Sequence, residues 1–433
     1  MGETWYVLVA IGVLFLSLLA GMPIGFALLL VGGGGMAVVL GWGGFSMTAL
    51  VFFNTVSHFT LIPVPLFLLM GFLMFHSGIS SDLFKLCEAW LGKLPGGLGV
   101  ASIMACSVFA SATGSSSATV ATVGTVAIPE MLNRGYSKRL ATGALATGGT
   151  LGILIPPSII LVIYGSMVEE SIGQLLVAGI LPGILIAILL SLTVVVFGIM
   201  YPQSVSPPRS FAWKERFTYL KGMIPVLFLI AAVMGTIYTG IATPTEAAAV
   251  GAFCAVLLVI MRWKRVVQNL RNSLVDTLRT VGMAYLIVSG ATVFSTFLGI
   301  TGLPNLIANY VGNLPLGGYA ILAIILVAYV FLGMVVDGLA MMLMTLPIVY
   351  PIIQSLGFDP IWFGIILVIV IEISLITPPV GMNLYIVSGV SGVKLEEVFR
   401  GSLLFLIPLL IGLLIIAAVP EISLFLPQQM MSP

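Results

Sequence analysis

The chain has 433 residues, of which 60% are hydrophobic and 7% charged, with a mean hydropathy of +1.22. No soluble domain of this length needs so much apolar surface, so the fold class is an all-α polytopic membrane protein. Sixteen Lys and Arg against fifteen Asp and Glu leave a net charge of +1, which excludes a nucleic-acid binder, and the scattered Cys87, Cys106, Cys254, His58 and His76 offer no metal-ligand spacing.

Apolar runs approach the ~20 residues that span a bilayer. In chain order the first half predicts helices over 4–20 and 24–40, a connecting segment over 41–58, and a helix over 60–76 that ends at His76. An amphipathic stretch over 80–92, a paired hairpin over 97–130, a broken helix over 138–168 and a final helix over 174–200 follow. Glu3 is the only early charge and no basic segment precedes the first apolar run, which argues against a signal peptide. The second half runs through the same series at 223–240, 245–262, 281–299, 303–313, 318–353, 361–390 and 402–420.

The two series share residues that membrane helices usually avoid. Pro129 and Pro351, Pro156-Pro157 and Pro378-Pro379, and Gly179 and Gly401 all lie 222 residues apart, as do Phe72/Phe294, Phe75/Phe297 and Phe109/Phe331. Proline removes a backbone donor and breaks helices, so matched prolines carry more information than matched leucines. Paired interruptions in two halves of a membrane protein point to a transporter's binding site.

The Lys and Arg residues fall into five clusters: Lys85/Lys93, Arg134/Lys138/Arg139, Arg209/Lys214/Arg216/Lys221, Arg262/Lys264/Arg265/Arg271/Arg279 and Lys394/Arg400. If each hairpin dips in and returns to its own side, each half crosses five times and the second half is an inverted-topology repeat of the first. Every basic cluster then lies on one face, and the opposite loops at 41–58, 169–173, 300–317 and 354–360 carry no Lys or Arg. The positive-inside rule makes the basic face cytoplasmic and places both termini outside. Hairpins spanning fully as two helices keep the same parity; re-entry is favoured by the break near the middle of each, because non-helical backbone at that depth must be buried in protein or line a wet cavity. The two tips are expected to meet near the midplane.

Four breaks carry the chemistry. The first, Ser111-Ala-Thr-Gly-Ser-Ser-Ser-Ala-Thr119, has two readings. One is small-residue helix packing. The other is a helix starting after Gly114 whose free N–H groups and hydroxyls hold a carboxylate, with free carbonyls facing a cation. The second break is Thr147-Gly-Gly-Thr-Leu-Gly152 before Pro156-Pro157-Ser158; Pro156 disfavours helix at Ile155 as well. Its counterpart is Glu372-Ile-Ser-Leu-Ile-Thr377 before Pro378-Pro379, Gly381 and Asn383. The fourth, Val336-Asp337-Gly338, stands opposite Ser115 at the common offset. Carboxylates in apolar segments are costly and mark function by default, and carboxylate, carbonyl and hydroxyl oxygens form a hard set suited to Na⁺ or a proton. Glu246 has a competing reading: Thr243 as N-cap, Pro244 at N1 and Glu246 at N3 form a capping box. No Lys or Arg falls in the breaks, so an anionic substrate would be held by helix N-termini, hydroxyls and bound cations.

At Gly114-Ser-Ser-Ser-Ala-Thr119, 149–158, 242–251, Val336-Asp337-Gly338 and 376–383 the chain resembles the large membrane (M, DctM-like) subunit of TRAP (tripartite ATP-independent periplasmic) transporters, members of the ion transporter superfamily. The resemblance implies Na⁺-coupled uptake of an organic acid, of sialic acid or C4-dicarboxylate type, across the bacterial inner membrane. It implies an extracytoplasmic (periplasmic) substrate-binding protein as partner and no cofactor other than Na⁺ as the coupling ion. It also implies a small four-helix membrane subunit, fused to the large one in some members and expected to be separate here, since no such segment precedes Met1 or follows Pro433. The implied mechanism is an elevator: residues 97–205 and 318–430, including hairpins 97–130 and 318–353, slide as a transport domain against scaffold helices and arms at 1–92 and 210–313. Carried over by motif, Ser115, Ser116, Ser117 and Thr119 with Gly149, Thr150 and Gly152 form one ion site, with Ser115, Ser116, Thr150 and Gly152 as the Na⁺ ligands. Asp337, Gly338, Glu372, Ser374 and Thr377 form the other, with Asp337, Gly338, Ser374 and Thr377 as ligands; Pro156, Pro157, Pro378 and Asn383 at the breaks are counted with the ion- or substrate-binding residues. Glu372 departs from the small or neutral residue expected there.

Three rival readings compete with this one. A proton-coupled symporter would use Asp337 and Glu372 as relays, and a channel would share the interrupted helices. An intramembrane hydrolase using Ser115–Ser117 lacks a nearby His or Lys base and a Gly-x-Ser-x-Gly elbow, so the chain is not expected to be an enzyme.

Overall fold

The computed structural model describes residues 4–262, 265–312, 314–334 and 336–430; Lys264 and position 313, which the sequence reading assigned to a basic cluster and to the second arm, lie outside them. All regular structure among the described residues is helical. The first half comprises α1 (Thr4–Leu19), α2 (Ile24–Leu40), α3 (Trp42–Val56), α4 (Pro63–His76), α5 (Ile79–Leu91), α6 (Gly97–Thr113), α7 (Ser116–Asn133), α8 (Lys138–Thr150), α9 (Ile159–Val168), α10 (Ile172–Ala178) and α11 (Ile180–Met200). The second comprises α12 (Trp213–Tyr238), α13 (Pro244–Met261), α14 (Val266–Ile300), α15 (Leu303–Gly312), α16 (Gly318–Gly333) and α17 (Gly338–Ser355), then α18 (Pro360–Leu375), α19 (Met382–Ser391), α20 (Leu395–Ala418) and α21 (Glu421–Met430).

Seven apolar helical segments among the described residues are long enough to cross a bilayer. Large apolar side chains such as Leu8, Leu16, Leu19 and Phe228 stand exposed, which suits a lipid solvent and not water. The segment Gly338–Ser355 alone has span length, so re-entry of the second hairpin rests on the break before it, not on its size.

Local signals set the helix ends. Ser137, Ser158 and Ser171 accept from backbone N–H groups at the starts of α8, α9 and α10. The Thr243–Glu246 capping box is formed, with the Glu246 N–H donating to Thr243 Oγ1 at 3.3 Å and the Thr243 N–H donating to Glu246 Oε2 at 2.8 Å. His76 is the last residue of α4.

Three stretches differ from expectation. Residues 41–58 contain helix α3, not an irregular connection; a Cβ at Gly44 would overlap the Met36 carbonyl, so glycine here lets α3 close on α2. Residues 266–280 continue α14 into one helix of 35 residues, about 50 Å long. The charges at Arg271, Asp276 and Arg279 obscured that helix in the sequence, but two contacts to α4 hold it: Ser273 Oγ donates to the Phe72 carbonyl at 3.0 Å, and His76 Nε2 meets Asp276 at 2.8 Å. Beyond the expected end at 420, α21 packs against α10.

The most extensive helix pairings form two groups. In one, α14 packs on α2 and α4, and α13 on α4; in the other, α8 packs on α20, α6 and α7, with α19 against α7. Gly143 and Gly401 face each other where α8 crosses α20, and a Cβ on either would overlap backbone of the opposing helix. The second group carries the Gly114, Pro156-Pro157 and Pro378-Pro379 breaks, while α17, which follows the Asp337 break, packs on α15, α14 and α18.

Candidate functional site

The first hairpin turns where α6 ends. Gly114 takes a left-handed conformation (φ 60°), and Ser115 caps α7 by accepting from the Ala118 N–H at 3.4 Å. A Cβ at Gly114 would lie 2.5 Å from the Pro157 carbonyl oxygen, so glycine is required for both the turn and the approach. In the second hairpin Asp337 caps α17: its Oδ2 accepts from the N–H groups of Leu339 at 3.1 Å and Ala340 at 3.4 Å.

Both broken helices unwind at their Pro-Pro pairs, and both Pro-Pro bonds are cis. Helix α8 gives way to a 3₁₀ turn over Leu151–Ile153, and helix resumes at Ile159 behind the Ser158 cap. Helix α18 stops at Leu375, and α19 resumes at Met382 after Gly381 in a left-handed conformation (φ 58°).

These four interruptions open on one cavity of about 160 Å³. The first residues of four helices line it: Ser116 and Ser117 of α7, Gly338 and Leu339 of α17, Ile159 and Ile160 of α9, and Met382 and Asn383 of α19. Helix N-termini present free N–H groups and a positive dipole end, so their convergence suits an anion without a basic side chain. No Lys or Arg lines the cavity. Leu68 of α4 and Thr280 and Met283 of α14 close its other side, where the two groups of helices meet.

The structure brings the first set of sequence candidates together. A Cβ at Gly152 would lie 2.7 Å from the Ser115 carbonyl oxygen, and one at Gly149 would overlap the Val120 side chain. Thr119 Oγ1 donates to the Ser115 carbonyl at 2.8 Å and lies 3.0 Å from Thr113 Oγ1. Thr150 Oγ1 donates to the Thr147 carbonyl at 2.7 Å. Asn383 bridges the halves: its Nδ2 donates to Ser116 Oγ at 2.7 Å and to the Ala146 carbonyl at 3.3 Å.

Of the second set, Asp337 and Gly338 line the cavity, whereas Ser374 and Thr377, like Glu372, lie on or just beyond α18 without lining it. A Cβ at Gly338 would overlap Ile371, and one at Gly333 would overlap Ser374, so the hairpin lies directly on α18. Ser374 Oγ donates to the Ile371 carbonyl at 2.7 Å and Thr377 Oγ1 to the Ile373 carbonyl at 2.5 Å, which leaves the hydroxyl lone pairs available. Glu372 does not line the cavity; it is fully buried in α18, and neither carboxylate oxygen has a hydrogen-bond partner. Pro156, Pro157 and Pro378 shape the breaks without lining the cavity. No group of three or more His, Cys, Asp or Glu gathers among the described residues; the oxygens that the cavity lining offers a cation are hydroxyls, carbonyls and the Asp337 carboxylate, with the Glu372 carboxylate off the cavity in α18.

Sequence reasoning missed Leu68, Thr280 and Met283, which carry no local signal. Ile153, Ile159 and Leu339 beside the named breaks could have been inferred from adjacency.

Comparison with known proteins adds the following. The sequence model of one family, described as "Tripartite ATP-independent periplasmic transporter, DctM component", matches residues 11–422. The chain is 36% identical over 380 residues to the C4-dicarboxylate TRAP transporter large permease protein DctM of Pseudomonas aeruginosa, covering 88% of each chain. It is 33% identical to the sialic acid TRAP transporter large permease protein SiaM of Vibrio cholerae, covering 95% of this chain and 96% of that one. In fold it is similar to the crystal structure of the Alcanivorax borkumensis YdaH transporter, with a TM-score of 0.59 over 94% of this chain and 96% of that one at 13% identity.

Proposed function

The chain belongs to the DctM-component family of tripartite ATP-independent periplasmic transporters, multi-pass permease subunits and not enzymes, and from that premise we propose that it carries an organic acid across the bacterial inner membrane on an inward Na⁺ gradient. The observation that carries this reading is the convergence of four helix N-termini on one cavity without Lys or Arg. A carboxylate substrate is stabilised there by N–H groups and dipole ends, and cargo cations supply the remaining positive charge. Acids of the C4-dicarboxylate or sialic acid type are the substrate class.

The first Na⁺ site is assigned to Ser115, Ser116, Thr150 and Gly152, with Ser117, Thr119 and Gly149 around it. The second is assigned to Asp337, Gly338, Ser374 and Thr377. Glu372 joins the second set on the strength of its two unpartnered oxygens, since a buried carboxylate needs a compensating partner. Asn383 is assigned to substrate or ion binding from its position in the cavity wall.

Residues 97–205 and 318–430 form the moving group and 1–92 with 210–313 the scaffold, with α5 and α15 as arms. The cavity's position between the two groups supports an elevator, because a sliding group must carry its cargo along that seam. The two halves are inverted repeats with re-entrant hairpins, which the matched interruptions and the one-sided basic clusters support. A periplasmic binding protein delivers the acid, and a small four-helix membrane subunit completes the permease.

Uptake of labelled acid into proteoliposomes holding both membrane subunits, with the binding protein outside, tests the reading. It should require an inward Na⁺ gradient. Uptake driven by a pH gradient with Na⁺ absent would replace sodium by the proton.

A further inference from the structure

A second cavity, of about 980 Å³, lies far from the breaks, between the start of α8 and the start of α20. Lys138, Arg139, Lys394 and Arg400 line it, with the hydroxyls of Ser137, Ser204 and Ser391. Arg139 Nε donates to Glu397 Oε2 at 2.8 Å and Arg400 donates to Glu396 Oε1 at 2.7 Å, whereas Lys138 and Lys394 enter no ion pair among the described residues. Four cations against two carboxylates leave a surplus of two positive charges. Two helix N-termini add to it, and that of α20 receives no side-chain cap.

The walls are fixed. The Ser137 N–H donates to the Ser204 carbonyl at 3.0 Å, and the Gly143–Gly401 crossing locks α8 to α20. Phe197, Leu140 and Leu404 add apolar surface to the lining. Exposed apolar side chains continue from the lining along both helices: Leu403 and Ile407 follow Arg400 on α20, and Val196 and Ile199 neighbour Phe197 on α11, an apolar rim in sequence terms. A soluble anion has no use for that rim, whereas an amphiphile with a phosphate head does.

We infer that this cavity binds the headgroup of an anionic phospholipid, its phosphate among Lys138, Lys394 and the two helix starts and its acyl chains along the exposed faces of α11 and α20. Basic pockets between helices at the cytoplasmic interface suit such headgroups. The site lies on the face assigned above as cytoplasmic, so the leaflet it samples rests on that reading.

The test is native mass spectrometry of the delipidated full chain in detergent, titrated with phosphatidylglycerol or phosphatidylcholine. Phosphatidylglycerol should bind in preference. The pair Lys138→Gln/Lys394→Gln should weaken its binding about 30-fold at low salt, the effect of two basic side chains facing an anionic lipid. Lys138→Arg/Lys394→Arg should retain binding, as should Lys214→Gln/Lys221→Gln in a different basic cluster. Equal binding of the two lipids, equal loss in the control pair, no loss in the Gln pair, or displacement by millimolar glycerol phosphate would overturn the assignment. The measurement uses no ion gradient and no membrane orientation, so its failure leaves the transport reading intact, and failure of Na⁺-driven uptake leaves the binding result standing.

Discussion

At the first hairpin tip the capping atom is the Ser115 hydroxyl, and the neighbouring break brings Gly152 against the Ser115 carbonyl. At the second the capping atom is the Asp337 carboxylate, and the hairpin rests on Ile371 and Ser374. The backbone plan is shared: helix, break, capped helix, lying against a second helix that unwinds at a cis Pro-Pro pair. Glycines and prolines set that plan, while one capping side chain sets the local charge. Two cation sites built this way should differ in affinity, the carboxylate site being the tighter.

The largest effect should come from removing the carboxylate. Asp337→Ala loses cap and charge together, and a charged interaction of ~3 kcal/mol corresponds to a fall of about 100-fold in Na⁺-driven uptake. Asp337→Asn keeps the cap; if it transports normally, charge is not what distinguishes the tips. Next come the glycine contacts. Gly152→Ala drives a Cβ against backbone, at 2.7 Å from the Ser115 carbonyl oxygen, and overpacking of ~1–3 kcal/mol should lower both the melting temperature and uptake. Gly338→Ala meets the Ile371 side chain, which can turn, so it should cost less; the reverse order would mean the second tip is the more rigid.

Smaller effects probe the link between the halves. Ser116→Ala, Asn383→Ala and their combination should show a coupling of ~1 kcal/mol in a double-mutant cycle on melting, and additivity would break the link. Ser115→Ala should cost ~1 kcal/mol and raise the Na⁺ concentration for half-maximal uptake about fivefold. The smallest effect concerns the loop between α9 and α10, where burial and then the nearby Asp359 raise the pKa of Glu170. A raised carboxyl stabilises the fold while protonated, so this contribution is full at acid pH and fades as pH rises through the shifted value. Melting of Glu170→Gln should therefore vary less with pH over that window.

The breaks were legible because their causes are local. Gly114, Pro156-Pro157, Pro378-Pro379 and the Thr243–Glu246 box act on backbone within a few residues, whatever surrounds them. The start of α14 was not legible, since its charges hide a helix held by the Phe72 carbonyl and His76, some 200 residues earlier. Helix α3 was hidden for a related reason: Gly44 suits close approach to α2 and carries no helical signal of its own. In the cavity, the hydroxyls and Asp337 stood out against an apolar chain, whereas Leu68 and Met283 become wall residues only through the packing of α4 and α14. The placement of Glu372 off the cavity is likewise a matter of helix phase and packing.

The amide of Asn383 reaches from the second half's broken helix to Ser116 at the first half's tip. If uptake is ion-coupled as proposed, this contact would work as an AND gate. A change at the first tip would be felt at the second half's broken helix through one fully buried amide, so a half-loaded carrier would hold its two halves mismatched. Such an interlock would oppose the slippage that dissipates an ion gradient without moving cargo.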